Sequence, residues 1–182
     1  MKASETKLQR IIEGQNQFVV PLYQRPYSWE AKQWSVLWDD LCELCQEENP
    51  RTHFIGSIVT YPTQSVPEGV TKYLLIDGQQ RMTTAFLLLA AIRDRAKDLQ
   101  LEPLAPEIEQ TLLLNMFKQG NETYKLLPTQ ADRNAFIRIM LGQPAEDGLI
   151  ASAYRYFAKN MRASDAAFLE KLKRTIVNHE FA

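Results

Sequence analysis

The chain has 182 residues, of which 45% are hydrophobic and 24% charged, enough for one domain with a real core or for two small ones. Its formal net charge of −1 excludes the global basic field of many nucleic-acid binders but leaves room for a local patch. The longest apolar run, Thr83 to Ile92, is too short to span a membrane, and Met1 to Glu5 lacks the apolar core of a signal peptide, so a cytoplasmic location is expected.

In chain order, Ser4 is placed to cap a short helix with Leu8, Ile11 and Ile12 inward and Gly14 at its end. Phe18 to Val20 reads as a strand stopped by Pro21. Pro21 to Trp29 is a stiff, extended loop, because Pro21 and Pro26 forbid a helix and Arg25 precedes a proline. It displays Tyr23, Gln24 and Arg25. Ser28 is a good N-cap for a helix whose buried stripe is Trp34, Leu37, Trp38, Leu41, Leu44 and Cys45. Cys42 and Cys45 form a C-x-x-C within that helix. A redox pair wants its first cysteine at a helix N-terminus, and zinc would need both His53 and His179, so the two are read as small core residues.

His53 to Tyr61 reads as one strand, in which Gly56 hints at a bulge or a close backbone approach. A loop from Pro62 to Thr71 leads to the next strand, Lys72 to Ile76, as a hairpin. A helix runs from Gln79 to about Leu99. The rest is helical in pattern: Pro106 opens a helix with Ile108, Leu112, Leu113 and Phe117 inward and Gly120 as C-cap. Thr123 to Leu127 is a short strand. Thr129 and Asp132 resemble a capping box for a helix burying Phe136, Ile137, Met140 and Leu141. Leu149–Met161 and Asp165–Val177 complete the chain. The predicted class is α+β, with a boundary near 100–105 dividing a mixed half, 1–102, from a helical half, 103–182.

The chemistry concentrates between the strand at Tyr73–Ile76 and the apolar helix from Ala85. There stand Asp77, Gly78, Gln79, Gln80, Arg81, Thr83 and Thr84. Asp at an N-cap with Gln80 three residues on is itself a capping-box pattern, which explains those two residues and no others. Arg81 in a first helical turn opposes the helix dipole, which points to an anion. An acid beside a phosphate suits Mg²⁺ or a polarised water. If the Tyr23–Arg25 loop lies beside this turn, Arg25 and Arg81 form a phosphate clamp. There is no Walker A loop, no Ser/His/Asp triad and no H-N-H nuclease site in the sequence.

Val20 to Trp29, His53 to Ser57 and Leu75 to Thr84 resemble, in this order, the motifs of the N-terminal domain of GmrSD-type restriction proteins, a family of the ParB/sulfiredoxin-like superfamily. The likeness covers residues 5–100, and extends less closely through 127–136 and 154–157. It implies a ParB/sulfiredoxin-like nucleotide-binding domain over 1–102 with a helical extension, and an NTP-binding, NTP-hydrolysing role in prokaryotic defence. Tyr23, Gln24 and Arg25 carry over as the Y-Q-R motif. Asp77, Gln79, Gln80 and Arg81 carry over as the D-G-Q-Q-R motif, with Gly78 in the phosphate-binding turn and Thr83 and Thr84 as the hydroxyl pair.

The expected roles are Asp77, Gln80 and Arg81 in catalysis, Asp77 as ligand of Mg²⁺, and Tyr23, Gln24, Arg25, Gly78, Gln79, Arg81, Thr83 and Thr84 in nucleotide binding. The base is left open among GTP, UTP, CTP and ATP. The resemblance also implies DNA and an HNH-type nuclease domain or subunit as partners, and leaves homo-oligomerisation open. With no HNH domain before Ala182, the chain reads as an N-terminal fragment or a reduced stand-alone protein. The rival readings are a non-catalytic module that grips DNA phosphate and stacks Tyr23, Tyr27 or Trp29 on a base, and a ParB-like nicking domain.

Overall fold

A computed structural model describes residues 6–47, 54–63, 69–178 and 180–181. The expected Ser4 cap, His53 and His179 lie outside them. Among the described residues the architecture is α+β, with two small sheets. The larger has the order β4 (Val59–Pro62), β5 (Thr71–Asp77), β2 (Asn16–Val19), β6 (Leu126–Leu127). β5, β2 and β6 run parallel, with Phe18 opposite both Tyr73 and Leu126, while β4 folds back antiparallel on β5 as the expected hairpin. The smaller sheet joins β1 (Thr6–Lys7), β7 (Glu180–Phe181) and β3 (Phe54–Gly56).

The expected single strand over 53–61 is therefore two strands in different sheets, broken at Ser57 and Ile58. Gly56, at φ +120°, takes a backbone conformation that a residue with a Cβ rarely adopts, so the strand turns there.

α3 (Gln79–Asp98) is the central element. Every residue from Met82 to Ile92 is buried, so this helix has no solvent face along its apolar run. It packs against α4 (Leu104–Glu107), the π-helical turn Ile108–Leu113, α5 (Gln130–Met140), α6 (Leu149–Asn160) and α7 (Ala166–Val177). α2 (Ala31–Gln46) lies on α6 and α7, burying Trp34, Trp38, Leu41, Leu44 and Cys45 of the expected stripe and leaving its sixth member, Leu37, half-buried. Burial pushes both the Cys42 and Cys45 thiols above their ordinary pKa. One core holds residues from both sides of position 102, among them Phe18, Phe86, Phe136 and Leu172.

Several expected boundaries shift for local reasons. α2 starts after Glu30, not Ser28, because Glu30 and Gln33 make a reciprocal capping box. The helix after Pro106 ends at Leu113, and Phe117, expected inward, is 97% exposed at φ +66°. Thr129 is the N-cap of α5, but the expected capping box is not made: the Thr129 hydroxyl donates to Asp132 Oδ2 at 2.8 Å instead. Ile139 takes the buried place expected of Ile137, and Leu141 is exposed.

Two buried cations close helix ends. Arg93 donates from Nη2 to Ile139 O at 2.8 Å and from Nη1 to Met140 O, serving the last carbonyls of α5. Lys125 donates to Ile12 O at 2.8 Å and to Gly14 O, serving the end of α1 (Leu8–Ile12). Burial lowers the Lys125 pKa to about 8. A neutral amine keeps two N–H donors, enough for both carbonyls. Between pH 8 and the ordinary lysine range the unfolded chain binds the proton that the folded chain has shed, so this group's contribution to stability rises with pH there. Urea unfolding at pH 7.5 and pH 9.5 is expected to show the stability difference moving in favour of wild type over Lys125→Met at the higher pH.

Candidate functional site

β2, β5 and β6 are parallel, so their carboxyl ends lie at one edge of the sheet. That edge is where open sheets with parallel strands present their loops to ligands. The chain leaves β2 into the 20–30 loop, β5 into α3 and β6 into α5. The two polar motifs singled out in the sequence thus meet there.

The junction is a set of hydrogen bonds. Gln24 donates from Nε2 to Ile76 O at 2.7 Å. Gln79 donates from Nε2 to Gln24 Oε1 and to Arg25 O, each at 3.1 Å. Gln80 accepts the Ser28 N–H on Oε1 at 2.9 Å and donates from Nε2 to Pro26 O at 3.2 Å. Both glutamines are buried. The loop opens with a turn in which Gln24 N–H donates to Pro21 O at 3.1 Å, but the extended backbone beyond it cannot satisfy its own polar groups, and leaving one buried and unpaired costs about 1–3 kcal/mol. The two amides, each with a donor and an acceptor end, meet that need.

Below this layer, Trp34 donates from Nε1 to Tyr27 Oη at 3.0 Å, Tyr27 lies 2.7 Å from Thr84 Oγ1, and Thr84 donates to Gln80 O at 2.7 Å. The single Thr84 hydrogen is committed to Gln80, so Tyr27 is the donor to Thr84. Burial pushes the Tyr27 phenol up to about 12, so it stays neutral through the physiological range. Thr83 and Thr84 are both buried, one turn inside α3.

The exposed chemistry sits on the turn itself. Gly78 is the N-cap of α3 at φ +88°, and a Cβ there would meet Ser57 O at 2.8 Å. Asp77 is the last residue of β5 rather than the cap. Its Oδ1 accepts the Gly78 N–H at 2.7 Å and its side chain is 66% exposed. Arg81 donates from Nη2 to Ser57 O at 2.9 Å, with Asp77 Oδ2 3.8 Å away. The Arg81 side chain is 25% exposed. Its guanidinium lies where a Cβ on Gly56 would be, 1.9 Å from Nη1. Arg25 is exposed, as is Tyr23 at 77%.

The structure thus brings Gln24, Arg25, Asp77, Gly78, Gln79, Gln80 and Arg81 to one edge, with Tyr23 on the same loop, and leaves Thr83 and Thr84 in the core. Sequence reasoning did not identify Ser57 and Ile76, which act through backbone carbonyls and leave no side-chain signal. It also did not identify Asp132, whose Oδ2 accepts the Tyr27 N–H at 2.7 Å.

The model of the GmrSD restriction endonuclease N-terminal domain matches residues 8–181. The chain belongs to that family. No curated protein matches it. A GmrSD-type N-terminal domain is a module of a restriction or defence protein, and the family implies a nuclease domain as its partner. The match runs across both halves of the chain, as the shared core does. No helix of the described residues is long and apolar enough to cross a membrane.

Gly56→Ala is expected to displace the Arg81 guanidinium from Ser57 and to strain the backbone at φ +120°. The cost is about 1–3 kcal/mol, read as a lowered urea midpoint. Double replacement with Arg81→Ala should recover part of that loss by removing the clash.

Proposed function

We propose that this GmrSD-type module binds a nucleoside triphosphate at the carboxyl edge of its parallel strands and hydrolyses it, and that this event governs the partner nuclease. The observation that carries the reading is the turn opening α3. An exposed acid, Asp77, and a cation, Arg81, flank a helix start, and the Arg25 loop is strapped to that same turn. First-turn N–H groups and the helix dipole favour a phosphate there.

In this reading Arg81 and Arg25 hold the phosphates, and Arg81 stabilises the charge that grows as the terminal phosphoryl leaves. Asp77 presents one exposed carboxylate. That donor fits Mg²⁺, which takes one or two carboxylates together with phosphate oxygens and water. Bound there, Mg²⁺ would supply neutralisation of phosphate charge. Gln79 and Gln80, whose amides bridge to the loop, keep Arg25 and Arg81 on one edge. Thr84 and Tyr27 stiffen that bridge from below. Gly78 lets the turn pass close to Ser57.

A second reading rests on the exposed Leu22 and Tyr23 beside Arg25. The same edge would grip a DNA phosphate and stack the tyrosine on a base, without turnover.

Binding and Mg²⁺-dependent phosphate release should be measured with ATP, GTP, CTP and UTP. Wild type is expected to release phosphate from at least one of them. Arg81→Ala and Asp77→Ala are each expected to lower the rate by about 10²-fold or more. If wild type neither binds nor hydrolyses any of the four, the nucleotide reading is lost. DNA binding that weakens steeply with salt would then favour the second.

A further inference from the structure

We infer that Asp132, a residue of the helical half outside both polar motifs, is a positioning residue of this site. It holds the Gln24–Ser28 loop in register with the turn that opens α3. The inference rests on the nucleotide reading above for its functional consequence, and on geometry alone for the clamp itself.

The loop's backbone groups are held one after another. Arg25 O and Pro26 O accept from Gln79 and Gln80, and the Ser28 N–H donates to Gln80. The amide between them, Tyr27 N–H, donates not to α3 but to Asp132 Oδ2, at 2.7 Å. A capping box would send an N3 carboxylate back to the N–H of the cap residue. Asp132 stands at that position of α5 and makes no such bond. The Thr129 hydroxyl instead donates to the same Oδ2 at 2.8 Å, and Thr129 is buried. A hydrogen bond to a carboxylate is roughly twice as strong as one between neutral groups.

Tyr27 is therefore fastened at both ends, its amide by α5 and its phenol by α3 and α2 through Thr84 and Trp34. Arg25 stands two residues before that bolt, joined to it through Pro26, whose ring restricts both itself and Arg25. Fixing the Tyr27 amide thus limits where the exposed Arg25 side chain can reach. α5 follows β6, the third parallel strand, so the contribution comes from the part of the chain beyond the expected boundary near 102.

The experiment compares wild type, Asp132→Ala, Asp132→Asn and Phe136→Leu. Phe136 is a buried residue of the same helix that packs on Phe86, and it controls for loss of stability. The function-independent readout is amide hydrogen exchange over residues 24–28. The binding readout is affinity for inorganic tripolyphosphate with Mg²⁺, a probe without a base.

Asp132→Ala is expected to speed exchange over 24–28 by tenfold or more and to weaken tripolyphosphate binding about tenfold. Asp132→Asn, which keeps an acceptor oxygen, should recover most of both. Phe136→Leu should leave both within twofold of wild type. If Asp132→Ala matches wild type in loop exchange, or only follows Phe136→Leu, Asp132 is a helix-end residue and the inference is overturned. If wild type binds neither tripolyphosphate nor any nucleotide, the functional reading fails, and the exchange comparison alone decides whether Asp132 clamps the loop.

Discussion

Everything at the candidate edge depends on one constraint: the backbone of the half-buried Gln24–Ser28 loop must find hydrogen-bond partners in other elements. The side chains of Gln79 and Gln80 meet that demand from the first turn of α3. They can do so because α3 is buried along its whole apolar run and gives them a rigid base. The core therefore supports the site directly. A cavity beneath α3, such as that left by truncating Phe86, would cost about 3–5 kcal/mol, and it would also loosen the base on which both amides stand.

A second constraint is space. The segment at Ser57–Ile58 crosses close to the start of α3, and each contact is allowed by a glycine. Gly56 leaves room for the Arg81 guanidinium, and Gly78 leaves room for Ser57 O. Arg81 at the N-terminus of a helix is electrostatically unfavourable on its own. The Ser57 carbonyl, and to a small degree the solvent-screened Asp77 carboxylate, offset that. The arginine is thus held, partly exposed, beside the Asp77 carboxylate at the start of α3.

The same chemistry serves structure elsewhere. Arg93 and Lys125 are buried cations that finish the carbonyl ends of α5 and α1. They show why residue type alone does not mark a site in this chain. A buried cation on helix carbonyls is a cap, whereas Arg81, in the first turn of α3, and Arg25, on a loop, stand beyond the carboxyl ends of parallel strands. It is the neighbourhood that separates the two uses.

Much of this was legible in the residues. Apolar periodicity marked α2, and a continuous apolar run marked the buried centre of α3. Turn chemistry marked the loop between Pro21 and Pro26, and the density of polar groups between β5 and the apolar helix marked the candidate site. The resemblance of the three motifs led to the family that the family model then matched. These signals are local, since helix period, proline restriction and a glycine's freedom act within a few residues. What the tertiary structure alone decided was which distant groups meet. It split the 53–61 segment between two sheets, put Thr83 and Thr84 in the core, and turned Phe117 outward. It gave Gln79 and Gln80 a loop to hold, and it set Asp132 against an amide 105 positions earlier in the chain. Such pairings use backbone carbonyls and amides that every residue carries. No side-chain pattern announces them before the chain has folded around its central helix.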